Sequence, residues 1–138
     1  VKFREGLLLP EFRKEVFGYI GQIINNLGHK TLIVNGVSDH VHCFFGLHPK
    51  QALADLMREV KTNSSKWINT QKFLRYRFEW QEGYGAFSYG KSQVDAVMKY
   101  VLNQEEHHQK VAFREEYLDV LQKFEIEHDE KYIFKEPE

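Results

Sequence analysis

The stretch DHVHCFF, residues 39–45, combines an apolar strand pattern with two histidines two residues apart. Successive side chains of a strand point to opposite faces, so His40 and His42 share one face while Val41 and Cys43 take the other. This spacing places two imidazole nitrogens, both able to bind a metal ion, side by side. With seven histidines in 138 residues the pattern also arises by chance, and two polar residues on a solvent-facing surface are the alternative.

The residues that precede and follow this stretch predict a hairpin between helices. TLIVNGV, residues 31–37, is rich in β-branched residues, so it pairs with the histidine strand as a predicted hairpin. Apolar residues at helical spacing predict a helix that begins near Pro10 and ends at Gly28. A second predicted helix begins at Pro49 and carries Lys61 and Ser65 close to the border of its apolar side.

The second half of the chain predicts one more strand and two more helices. Residues 78–89 (FEWQEGYGAFSY) look extended, with Gly83 and Gly85 marking a bulge or a close backbone approach. Ser88 or Ser92 can cap the next helix, whose apolar stripe ends at Val101, and a last helix covers residues 113–124. This order of elements predicts an α+β fold with helices packed against an antiparallel sheet.

Size and composition bound the class of protein. A chain of 138 residues that is 42% hydrophobic forms one compact domain, predicted over residues 1–138. No apolar run is long enough to cross a bilayer and no leader pattern opens the chain, which predicts a soluble, cytoplasmic protein without a membrane partner. The single cysteine, Cys43, sits in an apolar strand and is predicted to be a buried small hydrophobe. The absence of a glycine-rich phosphate loop predicts no nucleotide cofactor.

Charge is distributed unevenly along the chain, although the net charge is only −1. Residues 57–78 contain six basic residues against one acid and are interleaved with aromatic residues, whereas residues 105–138 contain eleven acids against five Lys and Arg. The basic residues are Arg58, Lys61, Lys66, Lys72, Arg75 and Arg77. This distribution predicts a phosphate-binding face, and the alternative is a solvated helix with ordinary lysines.

A polar stripe on the predicted helix that follows residues 78–89 suggests chemistry for the histidine pair. Tyr100, Gln104 and His107 lie at i, i+4 and i+7, so they share one side of a helix. A divalent metal held by His40, His42 and the amide oxygen of Gln104 could polarise a phosphoryl oxygen beside the tyrosine hydroxyl. Such ligands suit Mn²⁺ or Mg²⁺. The alternative is that Tyr100 is a half-buried packing residue and Gln104 a surface polar residue.

Four segments in this order carry a family resemblance: DHVHCFF at 39–45, KTNSSKW at 61–67, WQEGYGAFS at 80–88 and YVLNQEEHH at 100–108. Together they resemble the small single-tyrosine transposases of insertion sequences that move as single-stranded DNA, within the HUH nuclease superfamily. The resemblance spans residues 30 to 131. It implies a ferredoxin-like or RRM-like HUH fold, and it implies a DNA substrate with hairpin ends.

The resemblance implies roles for the residues that match the family pattern. His40 and His42 match the pair that binds the metal, Gln104 matches the third ligand, and Tyr100 matches the nucleophile that forms a 5′-phosphotyrosine. The implied cofactor is Mg²⁺ or Mn²⁺. The helix that bears the tyrosine can complete the partner's site in such enzymes, which implies a homodimer. Family members also begin with a strand for which this chain has little room.

The remaining matched residues are implied to contact DNA. Lys61, Ser65 and Lys66 match the helix that holds the DNA backbone, and Trp80 and Tyr84 match the strand near the bound DNA. Two further histidines that match the pattern, with implied roles in supporting the site or contacting DNA, are His107 and His108. Two other functions stay open: a hairpin DNA- or RNA-binding module without cleavage, and a small metal-dependent phosphoesterase that uses a metal-bound water.

Overall fold

The computed structural model of the chain describes residues 1–103. Three α-helices and two β-strands follow one another in this part of the chain. They are α1 (Arg13–Asn26), β1 (Lys30–Gly36), β2 (Val41–Gly46), α2 (Leu53–Gln71) and α3 (Val94–Leu102), with short 3-10 turns at Lys2–Arg4 and Lys91–Gln93. The predicted α+β fold is therefore confirmed. No helix among residues 1–103 is long and apolar enough to cross a membrane.

The two strands form the predicted antiparallel hairpin. Asn35 lies opposite His42 and Val34 lies opposite Cys43, with a register shift between Thr31 and Ile33. Gly36 closes the hairpin at the point where the chain turns back toward β2. A Cβ at this position would collide with the carbonyl oxygen of His40. The turn therefore requires glycine, and it brings the histidine pair onto the strand directly after it.

The hairpin lies between helices on both of its faces. Val34, Val41, Cys43 and Phe45 pack against the main core, which contains α1 and α2 residues such as Ile20. Phe44 and Ile33 pack instead against a second cluster formed by Val97, Tyr100 and Val101 of α3. The alternation predicted from DHVHCFF is therefore confirmed, because the even-numbered positions of β2 face the helix that carries Tyr100.

The two long helices largely follow their predictions. Gly28 follows α1 with a φ of 94°, a left-handed conformation that glycine adopts without strain. α2 begins at Leu53 and not at the predicted Pro49. The loop before α2 is held by the buried His29, whose Nδ1 accepts the backbone N–H of His48 at 2.8 Å and whose Nε2 lies 2.7 Å from Oε1 of Gln51. Ala52, directly before α2, has an extended backbone with φ −68° and ψ 143°, so the helix begins only after it.

The predicted strand over residues 78–89 is wrong, because the described part of the chain pairs only β1 with β2. Residues 78–83 instead run beside α2 and use its side chains as hydrogen-bond partners. Oδ1 of Asn69 accepts the N–H of Phe78 at 2.7 Å, and Nδ2 of Asn69 donates to the Phe78 carbonyl at 3.1 Å. A side-chain amide thus replaces a neighbouring strand at Phe78.

The predicted serine cap of α3 is also wrong. Gln93 occupies the N-cap position, and its Oε1 accepts the backbone N–H of Gly90 at 2.9 Å. The predicted apolar stripe of this helix is confirmed, since Val97 and Val101 are buried. The last predicted helix, residues 113–124, lies outside the described residues, so the prediction of one domain over residues 1–138 stays a prediction.

Candidate active site and nucleic-acid interface

His40, directly before β2, and His42, on the β2 face that looks toward α3, lie side by side. Their ring centroids are 5.2 Å apart, with the rings nearly perpendicular. Oδ1 of Asp39 lies 2.6 Å from Nδ1 of His40, and both side chains are largely buried. This contact assigns the proton of neutral His40 to Nδ1, which leaves Nε2 as the nitrogen that can bind a cation. A carboxylate on the far side of the imidazole is a common feature of metal-binding histidines.

Tyr100 stands next to this pair in the same chain. Its ring centroid lies 6.1 Å from that of His42, and the residue is only 9% exposed, with a buried hydroxyl oxygen. The structure therefore brings together the predicted nucleophile and the two predicted histidine ligands. Gln104, the predicted third ligand, lies outside the described residues. Within residues 1–103 no group of three His, Cys, Asp or Glu side chains is arranged to hold a metal ion.

Asn35 of β1 connects the hairpin to α3, the helix that carries Tyr100. Sequence reasoning missed this role. Nδ2 of Asn35 donates to the carbonyl oxygens of Val101 at 2.9 Å and Leu102 at 3.0 Å, at the C-terminal end of α3. These carbonyls belong to the last turn, where helical hydrogen-bond partners run out. The available signal was a polar residue within the apolar strand TLIVNGV, at a position directly opposite His42.

A groove of about 1060 Å³ lies between α2 and the segment 72–84. Its lining includes six basic residues and two acidic ones, Glu79 and Glu82. The basic residues are Arg58, Lys61, Lys66, Lys72, Arg75 and Arg77. Tyr76 and Tyr84 also line the groove and are 74% and 47% exposed. The basic residues that cluster in the sequence therefore line one concave surface, beside the exposed rings of Tyr76 and Tyr84.

Comparison with known families decides the class of this chain. The sequence model described as "Transposase IS200 like" matches residues 1–104, which is three quarters of the chain. The chain belongs to the IS200-like transposase family. Membership makes it a DNA-processing protein, so binding to DNA is part of its function. The predicted resemblance to insertion-sequence transposases is confirmed.

One solved structure has a fold similar to that of this IS200-like transposase. A crystal structure of a candidate transposase from Deinococcus radiodurans R1 is similar with a TM-score of 0.58. The similarity covers 75% of this chain and 83% of that chain, at 18% sequence identity. At this identity the likeness concerns the fold alone. No curated protein matches the sequence significantly.

The residues of this transposase that were predicted to contact DNA fall into two groups. Ser65, Lys66 and Tyr84 line the groove, and Lys66 and Tyr84 are exposed in it. Trp80 and Lys61 instead make internal contacts that build the groove wall. Nε1 of Trp80 donates to Oγ of the fully buried Ser64 at 2.9 Å, while its ring packs against the main core.

Lys61 holds the turn at the end of that wall. Its Nζ donates to the carbonyl oxygens of Gln81 at 2.8 Å and Gly83 at 2.5 Å. Burial lowers the pKa of the Lys61 ammonium, and the nearby charge of Glu82 opposes this shift. Gly83 has a φ of 82°, so the turn that Lys61 holds uses a backbone conformation that favours glycine.

Cys43 lies on the face of β2 opposite the histidines, packed against the main core. Burial raises the pKa of its thiol from 9.0 to about 12. The thiol therefore stays protonated at neutral pH, which makes it unsuited to nucleophilic or metal chemistry. The environment agrees with the predicted role of a small packing residue.

Proposed function

We propose that this transposase cleaves and rejoins single-stranded DNA through attack of Tyr100 on a phosphodiester. The observation that carries the proposal is the placement of Tyr100 beside His42 and His40 within one chain. A tyrosine beside two histidines, one of them oriented by Asp39, matches what a metal-assisted phosphoryl transfer requires. The basic groove supplies a surface of the right charge for the DNA.

The proposed reaction exchanges one phosphoester for another. The Tyr100 oxygen forms a bond to phosphorus while the bond between phosphorus and the 3′-oxygen breaks. The tyrosine proton is released, and the leaving oxygen takes up a proton to become a free 3′-hydroxyl. The product is a 5′-phosphotyrosine, which a different 3′-hydroxyl attacks in the rejoining step. Because a phosphoester is conserved throughout, the reaction needs no ATP.

His40, His42 and Gln104 are the residues that would hold a divalent cation, Mg²⁺ or Mn²⁺. The fit of the two histidines is supported by the contact between Asp39 and Nδ1 of His40, which presents Nε2 as a ligand. The cation would supply positive charge that polarises the phosphoryl oxygen and favours the phenolate form of tyrosine. Imidazole and amide ligands leave coordination positions for the oxygens of the substrate.

The burial of Tyr100 sets a condition on the reaction. Its hydroxyl oxygen is covered in the structure of the chain alone, so a phosphodiester reaches it only when the groups that cover it shift. We infer that DNA binding provides this shift. The same burial favours a second candidate function, a module that binds DNA or RNA hairpins without cutting them.

The groove is the proposed binding surface for single-stranded DNA with hairpin ends. Lys66 and the arginines of segment 72–84 suit phosphate oxygens, and the exposed rings of Tyr76 and Tyr84 suit unstacked bases. The family resemblance further supports a homodimer that works in the cytoplasm.

A labelled single-stranded DNA assay tests the proposal. DNA from the flanks of the gene is incubated with the protein in Mn²⁺ or Mg²⁺ and separated on a denaturing gel. We expect a metal-dependent covalent adduct that Tyr100→Phe abolishes, because this variant keeps the ring and lacks the attacking oxygen. Tyr19→Phe is the matched control, since it removes a hydroxyl from α1, outside the groove, and keeps the ring that stacks on Trp67.

Each alternative function gives a different pattern in the same assay. A hairpin-binding module binds the DNA and gives no adduct with any flank. A phosphoesterase that uses a metal-bound water gives cleaved DNA without an adduct, and Tyr100→Phe retains that cleavage. Either pattern would contradict attack by Tyr100.

A further inference from the structure

We propose that Asn35 is a positioning residue that fixes the tyrosine helix against the histidine strand. The proposal rests on the proposed function, because it concerns how Tyr100 is placed for its reaction. Asn35 belongs to β1 and lies directly opposite His42 of β2. Its Nδ2 bonds to the carbonyl oxygens of Val101 and Leu102, the two residues that follow Tyr100. One side chain therefore connects the position opposite His42 in the hairpin to the last turn of α3.

The chemistry of the contact explains why asparagine suits this position. The final carbonyls of a helix lack partners within the helix, and a neutral NH₂ group can donate to two of them at once. Nδ2 lies 2.9 Å and 3.0 Å from the two carbonyl oxygens, within hydrogen-bond distance of both. An aspartate of the same shape would offer no hydrogen to either carbonyl, and its negative charge would face two oxygens at the negative end of the helix dipole.

The apolar contacts of α3 do not fix its position along the strands as tightly. In the second cluster Val97, Tyr100 and Val101 pack against apolar side chains that include Ile33 and Phe44. Apolar packing is non-directional, so it holds a helix on a sheet without specifying a particular turn. Hydrogen bonds have preferred distances and angles, so the Asn35 amide specifies which turn of α3 faces His42. A displacement of about 1 Å at a reacting group can cost about 100-fold in rate.

Asn35→Asp tests the proposal, with Gln22→Glu as the matched control. Both substitutions convert an amide to a carboxylate, and Gln22 is exposed on α1. We expect Asn35→Asp to slow adduct formation at saturating DNA and Mn²⁺ by about 10- to 100-fold. The affinity for the same DNA measured without metal should stay within about twofold, because the groove is formed by α2 and segment 72–84. The control should match the wild type in both measurements.

Hydrogen exchange tests the contact without relying on activity. In Asn35→Asp and in Asn35→Ala we expect the amides of residues 94–102 to exchange about tenfold faster, with those of α1 unchanged. Adduct formation by Asn35→Asp at the wild-type rate would overturn the proposal, as would unchanged exchange in α3. Global unfolding of both variants would also overturn it, because the side chain would then support the whole fold. Absence of an adduct from the wild type would refute the proposed function alone, and the exchange measurement would still decide the role of Asn35.

Discussion

Lys61 and Lys66 lie five residues apart on α2 and have different environments in the groove. Lys61 is partly buried and donates to two backbone carbonyls, whereas Lys66 is exposed. A charged donor engaged in this way stabilises the protein, while an exposed lysine contributes through its charge alone. Both residues were predicted from the sequence to bind DNA phosphates, which stays a prediction for both, and Lys61 has a structural role as well.

We predict that Lys61→Met and Lys66→Met affect different properties. Lys61→Met leaves the carbonyls of Gln81 and Gly83 without their donor, so it should lower the free energy of unfolding by about 1–2 kcal/mol. Lys66→Met should change stability by less than about 0.5 kcal/mol and weaken DNA binding. Urea denaturation and DNA titration of both variants check this. Equal losses of stability in Lys61→Met and Lys66→Met would contradict a stabilising role for the hydrogen bonds of Lys61.

At the scale of elements, the segment that follows α2 depends on a stripe of α2 side chains. Lys61, Ser64 and Asn69 lie near one side of that helix and bond to residues 78–83. We predict that Asn69→Ala loosens this segment, because both backbone groups of Phe78 lose their partners. The free energy of unfolding should fall by about 1–2 kcal/mol.

Limited trypsin digestion checks this prediction at the element itself. Cleavage after Arg75 and Arg77 should be faster in Asn69→Ala than in the wild type, because local opening of the segment exposes these bonds. Asn63→Ala is the matched control on the same helix, where the amide contacts Glu59 one turn earlier. Equal digestion of the two variants would refute a role for Asn69 in holding the segment.

The elements also show which parts of the fold and site could be predicted. Period-two alternation in DHVHCFF determined which residues share a face, since strand geometry alone fixes that pattern. Residues 78–83 have their hydrogen-bond partners on α2 and not on a neighbouring strand, so the prediction of a strand was wrong. The contact between Asn35 and Val101 spans 66 residues, and no local pattern encodes such a pair.

The whole molecule carries a net charge of −1, so any strong attraction to DNA must come from where its charges lie. The groove gathers six basic residues against two acids. Each phosphate neutralised on single-stranded DNA contributes about −0.7 to the slope of log K against log salt. Binding through the groove therefore has a salt dependence that follows the groove residues and not the net charge.

We predict that Arg75→Gln with Arg77→Gln reduces the magnitude of this slope by about 1.4, the value for two lost phosphate contacts. The control, Lys14→Gln with Lys30→Gln, removes the same charge from exposed positions that do not line the groove, and it should leave the slope unchanged. Titrations of labelled single-stranded DNA at several salt concentrations measure both. Charges farther away than about 10 Å are largely screened at 0.1 M salt, so equal changes in the two double variants would mean that DNA binds by overall charge and not in the groove.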